Sequence, residues 1–248
     1  MSTVSKKVII IGGHGNTGLR LARILSSAAH SVTSLIRNPA HADDVRAAQA
    51  TPLLLSLEDA PVSELSTAFD GTDVVYFTAG AGGKGGPLRT RAVDCDGAIK
   101  VFDAIEGVEA PRRPRLVLLS AIDVRNPAVV PAHYNEDDIA ISTRTRAAIG
   151  TYMQCKYDAD KNLAQRTAFK WTILRPTGLT NEPGTGKATI GRTHMMPLIS
   201  REDVALALAS LVDREGAAGL GIDIVGGETP IAEGLDAFIK KGETDFLG

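Results

Sequence analysis

The sequence predicts a doubly wound α/β domain, a parallel sheet of about seven strands with helices on both faces. Three observations carry that expectation. Short blocks of Val, Ile and Leu recur along the chain, separated by longer segments of helical periodicity. Several blocks are continuous rather than alternately apolar and polar, which suits strands buried on both faces of a parallel sheet. A glycine-rich turn follows the first block directly and opens the first helical segment. Repeated strand–helix–strand order calls for right-handed crossovers, and 248 residues suit one such domain spanning residues 1–248.

The strand-like blocks are Val8–Ile11, Val32–Ile36, Leu53–Leu55, Val74–Phe77, Leu116–Leu119, Trp171–Leu174 and Ile222–Val225. Helical patterns lie near residues 16–29, 60–69, 88–107, 143–168, 200–214 and 230–240. The basic cluster Pro111–Arg115 reads as a solvated turn into a strand. Two connections, near 121–142 and 177–198, are too long to be turns. The first holds Pro127, Pro131 and the acidic stretch Glu136–Asp138; the second holds Gly184, Gly186 and Gly191. Both leave the C-terminal ends of strands, where open α/β sheets bind ligands. They are expected to shape a substrate site, with residues 181–196 as a mobile lid.

Charge and composition exclude several classes. With 27 Lys and Arg against 29 Asp and Glu, the net charge of −2 lacks the basic excess of a nucleic-acid binder. No apolar run approaches the roughly 18–20 residues of a membrane span. Cys95 and Cys155 are too few for a disulfide framework, and the N-terminus lacks the flanks of a signal peptide. The expectation is a cytoplasmic monomer or homodimer acting on a small molecule. The five histidines, at 14, 30, 41, 133 and 194, show no metal-ligand spacing, and no G-x-S-x-G elbow is present. Gly184-Thr185-Gly186-Lys187 lacks the upstream Gly and the following Ser/Thr of a triphosphate loop.

The segment Gly12-Gly13-His14-Gly15-Asn16-Thr17-Gly18 places glycines 12, 15 and 18 in G-x-x-G-x-x-G spacing. Absent side chains let the backbone approach a pyrophosphate, while the helix N-terminus offers unpaired N–H groups. Asn16 and Thr17 supply further hydrogen bonds or a helix cap, and His14 reads as a polar loop residue at the cofactor. At the end of the second strand Arg37 stands where an NAD site would carry an acid. Its guanidinium suits a ribose 2′-phosphate, so NADP is the expected cofactor, with NAD the alternative.

Tyr152 and Lys156 are four residues apart, on one helix face. A phenol has a pKa near 10, and a neighbouring ammonium favours its phenolate, which suits proton transfer at a carbonyl or alcohol. Tyr157 and Lys161 repeat the spacing but are rotated by about 140° around the helix. The stripe Tyr152, Lys156, Ala159 and Leu163 is the one expected to face the sheet.

The glycine loop, Tyr152/Lys156 and Arg175-Pro176-Thr177-Gly178-Leu179 together resemble an atypical short-chain dehydrogenase/reductase, of the compact NAD(P)-binding group related to NmrA-like and epimerase-type proteins. Further similar stretches are Val74–Gly80, Val93–Ala98, Lys156–Asp160, Asn181–Lys187 and Ser200–Ala205. The resemblance spans nearly the whole chain. It implies a Rossmann-type fold, and it favours Tyr152/Lys156 over the rival pair. It also implies that Ser120, ending the fifth strand, orients the substrate oxygen, although Ser120-Ala121-Ile122-Asp123 lacks the second small polar residue often found there. By the same resemblance Thr78, Ala79 and Gly80 lie against a cofactor ribose, Lys156 bonds the nicotinamide ribose, and Pro176, Thr177, Gly178 and Leu179 approach the nicotinamide. The function implied is an NADP-dependent oxidoreductase acting on a small carbonyl or alcohol. Two alternatives share the fold: a non-catalytic NADP(H)-sensing regulator, and an epimerase or dehydratase that uses NADP transiently.

Overall fold

Successive buried Val, Ile and Leu residues give strands with two apolar faces, so the sheet must lie between helical layers. The structure is a computed structural model describing residues 4–246. Its strands are β1 (Lys7–Ile11), β2 (Ser31–Ile36), β3 (Thr51–Leu54), β4 (Val74–Phe77), β5 (Arg115–Leu119), β6 (Trp171–Pro176), β7 (Leu179–Thr180), β8 (Lys187–Ile190), β9 (Ile199–Ser200), β10 (Leu220–Gly226) and β11 (Thr229–Pro230). Its α-helices are α1 (Asn16–Ser27), α2 (Ala42–Ala47), α3 (Val62–Phe69), α4 (Gly86–Thr90), α5 (Gly97–Glu106), α6 (Glu136–Ala164), α7 (Arg201–Ser210) and α8 (Ile231–Lys241).

The main sheet runs β11-β8-β10-β6-β5-β4-β1-β2-β3. From β3 to β10 all neighbours are parallel, so the seven blocks expected from the sequence form the parallel body. Two antiparallel strands, β8 and β11, extend it beyond β10. The outermost strands each contain a proline, Pro52 in β3 and Pro230 in β11. β7 and β9 form a separate small pair.

Alternate residues of each strand feed different cores. Val8 and Ile10 of β1 pack with Leu21 and Leu25 of α1, Leu208 of α7 and Leu235 of α8. Ile9 and Ile11 face the other way, toward Phe69 of α3, Phe102 of α5 and Leu163 of α6. This is a single α/β domain with a mostly parallel, Rossmann-like sheet covered on both faces.

Several expectations need correction. The helix expected near 88–107 is interrupted: residues Arg91–Asp96 between α4 and α5 adopt a π-helical turn. The helix expected to begin near 143 begins at Glu136, because Asn135 and Asp138 form a reciprocal capping box. Within it Ile149 is non-helical (φ −133°, ψ 35°), so α6 kinks immediately before Gly150. The long segment 177–198 is only partly irregular, since β8 lies inside it and is paired to β10. Arg115 is not a solvated turn residue; it is buried, and its guanidinium donates to the carbonyls of Leu211, Val212 and Arg214 after α7. Among the described residues no helix is long and apolar enough to cross a membrane.

Candidate active site

The strand order reverses at β1 and β4, and a crevice opens at their C-terminal ends. Gly12 turns out of β1 with φ +80°, and a Cβ there would lie 2.7 Å from the Ala79 backbone. At Gly13 a Cβ would stand 2.4 Å from the Ser34 Cβ, so this glycine is also required, though it lies outside the G-x-x-G-x-x-G reading. Gly15 is the N-cap of α1 and no side chain caps the helix. Asn16 and Thr17 are therefore its first two residues rather than caps, and the N–H groups of the first turn are left for an anion. Gly18 is buried behind the loop against the Gly12 carbonyl.

Three connected hollows continue from this loop. The largest, about 850 Å³, is lined by Gly15, Asn16 and Thr17 on one side. Thr78, Ala79 and Gly80 also line it, as do Ser120, Tyr152, Lys156, Pro176 and Leu179. A second, about 620 Å³, holds Gly12, His14 and Arg37 and shares Thr78–Gly80. A third, about 380 Å³, lies beyond Tyr152 and includes Thr177 and Gly178. The structure thus brings together every expected site residue apart from the buried Gly18. Some are already engaged: the Thr78 hydroxyl donates to the Ile11 carbonyl (2.9 Å), and that of Thr177 to the Met195 carbonyl (2.5 Å). Their part in the site is structural. His14 stacks on His41 at 3.6 Å, with its Nε2 2.8 Å from Asp44. Arg37 is paired with Glu58, which also lies 3.5 Å from Arg89.

Tyr152 and Lys156 stand on the C-terminal half of α6, with the ammonium 5.8 Å from the phenol ring centroid. Lys156 is buried; its Nζ donates to the Leu119 carbonyl at 3.2 Å and lies 3.4 Å from Asp94 Oδ1, a close charge pair rather than an aligned hydrogen bond. Asp94, part of the similar stretch Val93–Ala98 but given no role from the sequence, is delivered by the π-helical turn, and its other oxygen accepts the Ala81 N–H. Burial would lower the Lys156 pKa, but Tyr152, Asp94 and Asp160 outweigh it and the ammonium is favoured. For Tyr152 burial wins in the opposite sense. The phenol pKa is raised, and the Lys156 charge, opposed by Asp94 and Asp160, does not bring it down to the phenolate range. The site therefore holds a neutral phenol, against the expectation of an activated phenolate. Tyr157 packs near Phe246 with Lys161 beside it, away from Tyr152.

The Ser120 hydroxyl donates to Asp160 Oδ2 at 2.7 Å, inside the fold. Asp160 and Arg201, which reaches the first two hollows from α7, lie in the similar stretches Lys156–Asp160 and Ser200–Ala205, but the sequence assigned neither a role. Beneath Ser120 the carboxyls of Asp160 and Asp223 share one cation, Arg175, whose Nε is 3.0 Å from Asp223 Oδ1. Burial pushes Asp160 up to about 6 and Asp223 up to about 7. Both pKa values exceed the unfolded carboxyl value, so this stabilisation is fully present below about pH 4 and is lost as pH rises from there through about 6 for Asp160 and about 7 for Asp223. At about 1.4 kcal/mol per unit, Asp223 alone contributes roughly 2–3 kcal/mol of added stability at pH 5 relative to pH 8. Thermal melts across that interval should show the midpoint rising toward pH 5, with Asp223→Asn flattening the slope. A midpoint that climbs with pH and ignores the substitution would contradict this.

The segments flanking the third hollow are pinned. Arg125 Nε lies 2.6 Å and Arg146 Nη2 3.1 Å from Asp123, joining the chain after β5 to α6. Asp138 accepts the Met195 N–H at 2.8 Å and faces His194 Nδ1 at 2.6 Å. The N–H groups of Gly184, Thr185 and Gly186 are occupied by Glu202 and Asp203, the reverse of a phosphate-binding loop. Both cysteines are buried free thiols, and burial raises both pKa values, Cys95 to about 11. Among the described residues no cluster of His, Cys, Asp or Glu is arranged to hold a metal.

Comparison with known proteins agrees with this geometry. A family model described as NAD(P)H-binding matches residues 12–215. A UPF0659 protein of Schizosaccharomyces pombe is 38% identical over 244 residues, covering 96% of this chain and 97% of its own. A Bacillus subtilis protein called an uncharacterized sugar epimerase, YhfK, is 34% identical over 232 residues, covering 92% and 98%. Among solved structures, a putative NAD-dependent epimerase/dehydratase from Bacillus halodurans superposes with a TM-score of 0.78 at 28% identity, covering 94% of this chain and all of that one.

Proposed function

The chain belongs to the NAD(P)H-binding family, as an enzyme related to short-chain dehydrogenases, epimerases and dehydratases, and from that premise we propose that it uses NADP to move a hydride at a small carbonyl or alcohol. The observation that carries this reading is the neutral Tyr152 phenol at the junction of the largest and third hollows, beside a buried ammonium. The cradle left by Gly12 and Gly13, with the uncapped start of α1, fits a dinucleotide pyrophosphate. Arg201 is placed to add a charge there. A bound nicotinamide supplies or accepts the hydride. In the reductive direction the carbonyl carbon gains that hydride, its π bond breaks, and the oxygen takes the Tyr152 proton. Lys156, held by the Leu119 carbonyl and Asp94, then stabilises the phenolate left behind. Ser120 offers the substrate an oxygen whose orientation is set by Asp160.

The names of the B. subtilis and B. halodurans relatives favour a second reading better than net reduction: the hydride is removed and returned within one turnover, as in epimerisation or dehydration. Tyr152 serves both. Stoichiometric loss of NADPH absorbance marks the first, and turnover without net consumption the second. A purely sensing role would have no use for the phenol–ammonium pair.

NADP preference rests on Arg37. Losing a charge-assisted contact to phosphate costs roughly 1.5–3 kcal/mol, so calorimetry on Arg37→Ala should show NADP(H) weakened about ten- to a hundredfold and NAD(H) little changed. Equal losses would sink the assignment. For lid closure, β8 and the carboxylate-bound turn before it leave only residues 191–198 to move, and they can do so only if the Asp138 contacts to His194 and Met195 open. Hydrogen exchange should slow there when NADP is added, while β8 stays protected throughout; unchanged strong protection of 191–198 would refute a lid.

A further inference from the structure

The third hollow is built differently from the other two. Its walls come from Ile122 after β5, Ile141, Ile149 and Met153 of α6, and Met195 and Met196 before β9. Among the described residues no charged side chain lines it. Of the arginines near it in the chain, Arg125 and Arg146 are paired with Asp123, Arg175 with Asp223, and Arg201 with the Leu179 and Thr180 carbonyls and the Asn181 side chain, while Arg144 and Arg192 do not line this hollow. Two of its four polar side chains are also committed, Thr177 to Met195 and Ser120 to Asp160. The Tyr152 phenol remains, with the Thr145 hydroxyl farther along α6. Three of the chain's four methionines, Met153, Met195 and Met196, line this one space, and the fourth is Met1. Ile149, turned aside by the kink in α6, is 47% exposed, as Met196 is at 48% and Leu198 at 45%. Apolar side chains left half-wet around a pocket gain by covering it with an apolar ligand, and methionine adapts to its outline.

A phosphorylated or nucleotide-linked sugar has no partner here for its charge, and each sugar hydroxyl buried here would need a hydrogen bond that few wall groups offer. Resting on the Tyr152 reading above, we propose that the substrate is an uncharged, mainly apolar aldehyde or ketone, or the matching alcohol, with its oxygen at Tyr152 and its hydrocarbon body in this pocket. A volume of about 380 Å³ is at the small end of ligand sites and suits a single-ring or short-chain compound. In reduction the carbonyl carbon gains the hydride lost by NADPH, which leaves as NADP⁺, and the oxygen takes the phenolic proton; oxidation is the reverse.

The test uses the full chain with ¹³C-methyl-labelled methionine and saturating NADP⁺, titrated with benzaldehyde, octanal, 2-octanone, glucose 6-phosphate and UDP-glucose. The expected result is a saturable shift of the Met153, Met195 and Met196 methyl signals with the apolar carbonyls and none with the sugars. NADPH oxidation should follow the same ranking. Ile141→Asp should raise KM for the carbonyls at least tenfold, leaving NADPH affinity unchanged. If Ile141→Asp does not fold, Met196→Asp, at the exposed mouth, serves instead. Sugar phosphates shifting the same methyls, or no compound of any class doing so, would overturn the substrate class. Apolar carbonyls that shift the methyls but are neither turned over nor sensitive to Tyr152→Phe would leave the pocket assignment standing and remove the hydride-transfer reading.

Discussion

Exchanging Tyr152 for phenylalanine is expected to lower turnover by about 10²–10⁴ while NADPH affinity stays within about twofold, the range for losing a positioned general acid. Tyr152 lines two of the hollows, and phenylalanine retains its ring and removes only the hydroxyl to which the proton transfer is assigned in the proposed function. Because burial keeps the phenol above its ordinary pKa, the wild-type reductive rate should stay flat through neutral pH and fall only in strongly alkaline buffer. Lys156→Ala should behave differently. It leaves Asp94 without its nearby cation, and breaking a buried pair from one side costs about 3–5 kcal/mol, so folding and cofactor binding suffer along with turnover. Steady-state kinetics and NADPH fluorescence titration on both variants check this. A Tyr152→Phe enzyme retaining turnover within a few fold would remove Tyr152 from the chemistry.

Gly13→Ala is expected to cost about 1–3 kcal/mol of stability and most of the NADP(H) affinity, since one added methyl would sit 2.4 Å from the buried Ser34 Cβ. Relief requires the loop to shift, and in the proposed function that loop is what meets the pyrophosphate. The two closest obstacles are the Ser34 Cβ and Oγ, with its Cα next at 3.0 Å, so Gly13→Ala with Ser34→Gly should recover part of both losses. Gly12→Ala should resist such rescue: its obstacle is the Ala79 backbone, and its φ of +80° disfavours any side chain. Chemical denaturation and cofactor titration of the three variants give the comparison. Normal NADP(H) binding by Gly13→Ala would mean that the dinucleotide does not lie against this loop.

The parallel body was legible because burial on two faces imposes a local composition: β1, β4 and β5 are near-continuous apolar runs, and no other local structure needs that pattern. The short strands were not. β7, β9 and β11 are two residues long and owe their geometry to partners far along the chain. The π-helical turn at Arg91–Asp96 disturbs a helical period by one residue, too little to detect in an amphipathic run, and it hid the direction of Asp94. Arg37 could be placed from its distance to the glycines, but its engagement with Glu58 spans two strands and exists only in space. Tyr152 and Lys156 were readable as a spacing. The balance between burial and charge that leaves the phenol protonated belongs to the packed site, where Asp94 and Asp160 arrive from a different helix and the next helical turn.

The prolines in the two outermost strands bear on what happens when many copies of this chain meet. An open sheet ends in unpaired backbone groups that can template a strand from a neighbour, and long sheets are prone to grow into aggregates at such borders. Pro52 removes an amide donor from β3, and Pro230 removes one from β11, which is itself only two residues long. A strand arriving at either border meets a gap in the hydrogen-bond ladder, so nine strands form a sheet that resists being lengthened from outside.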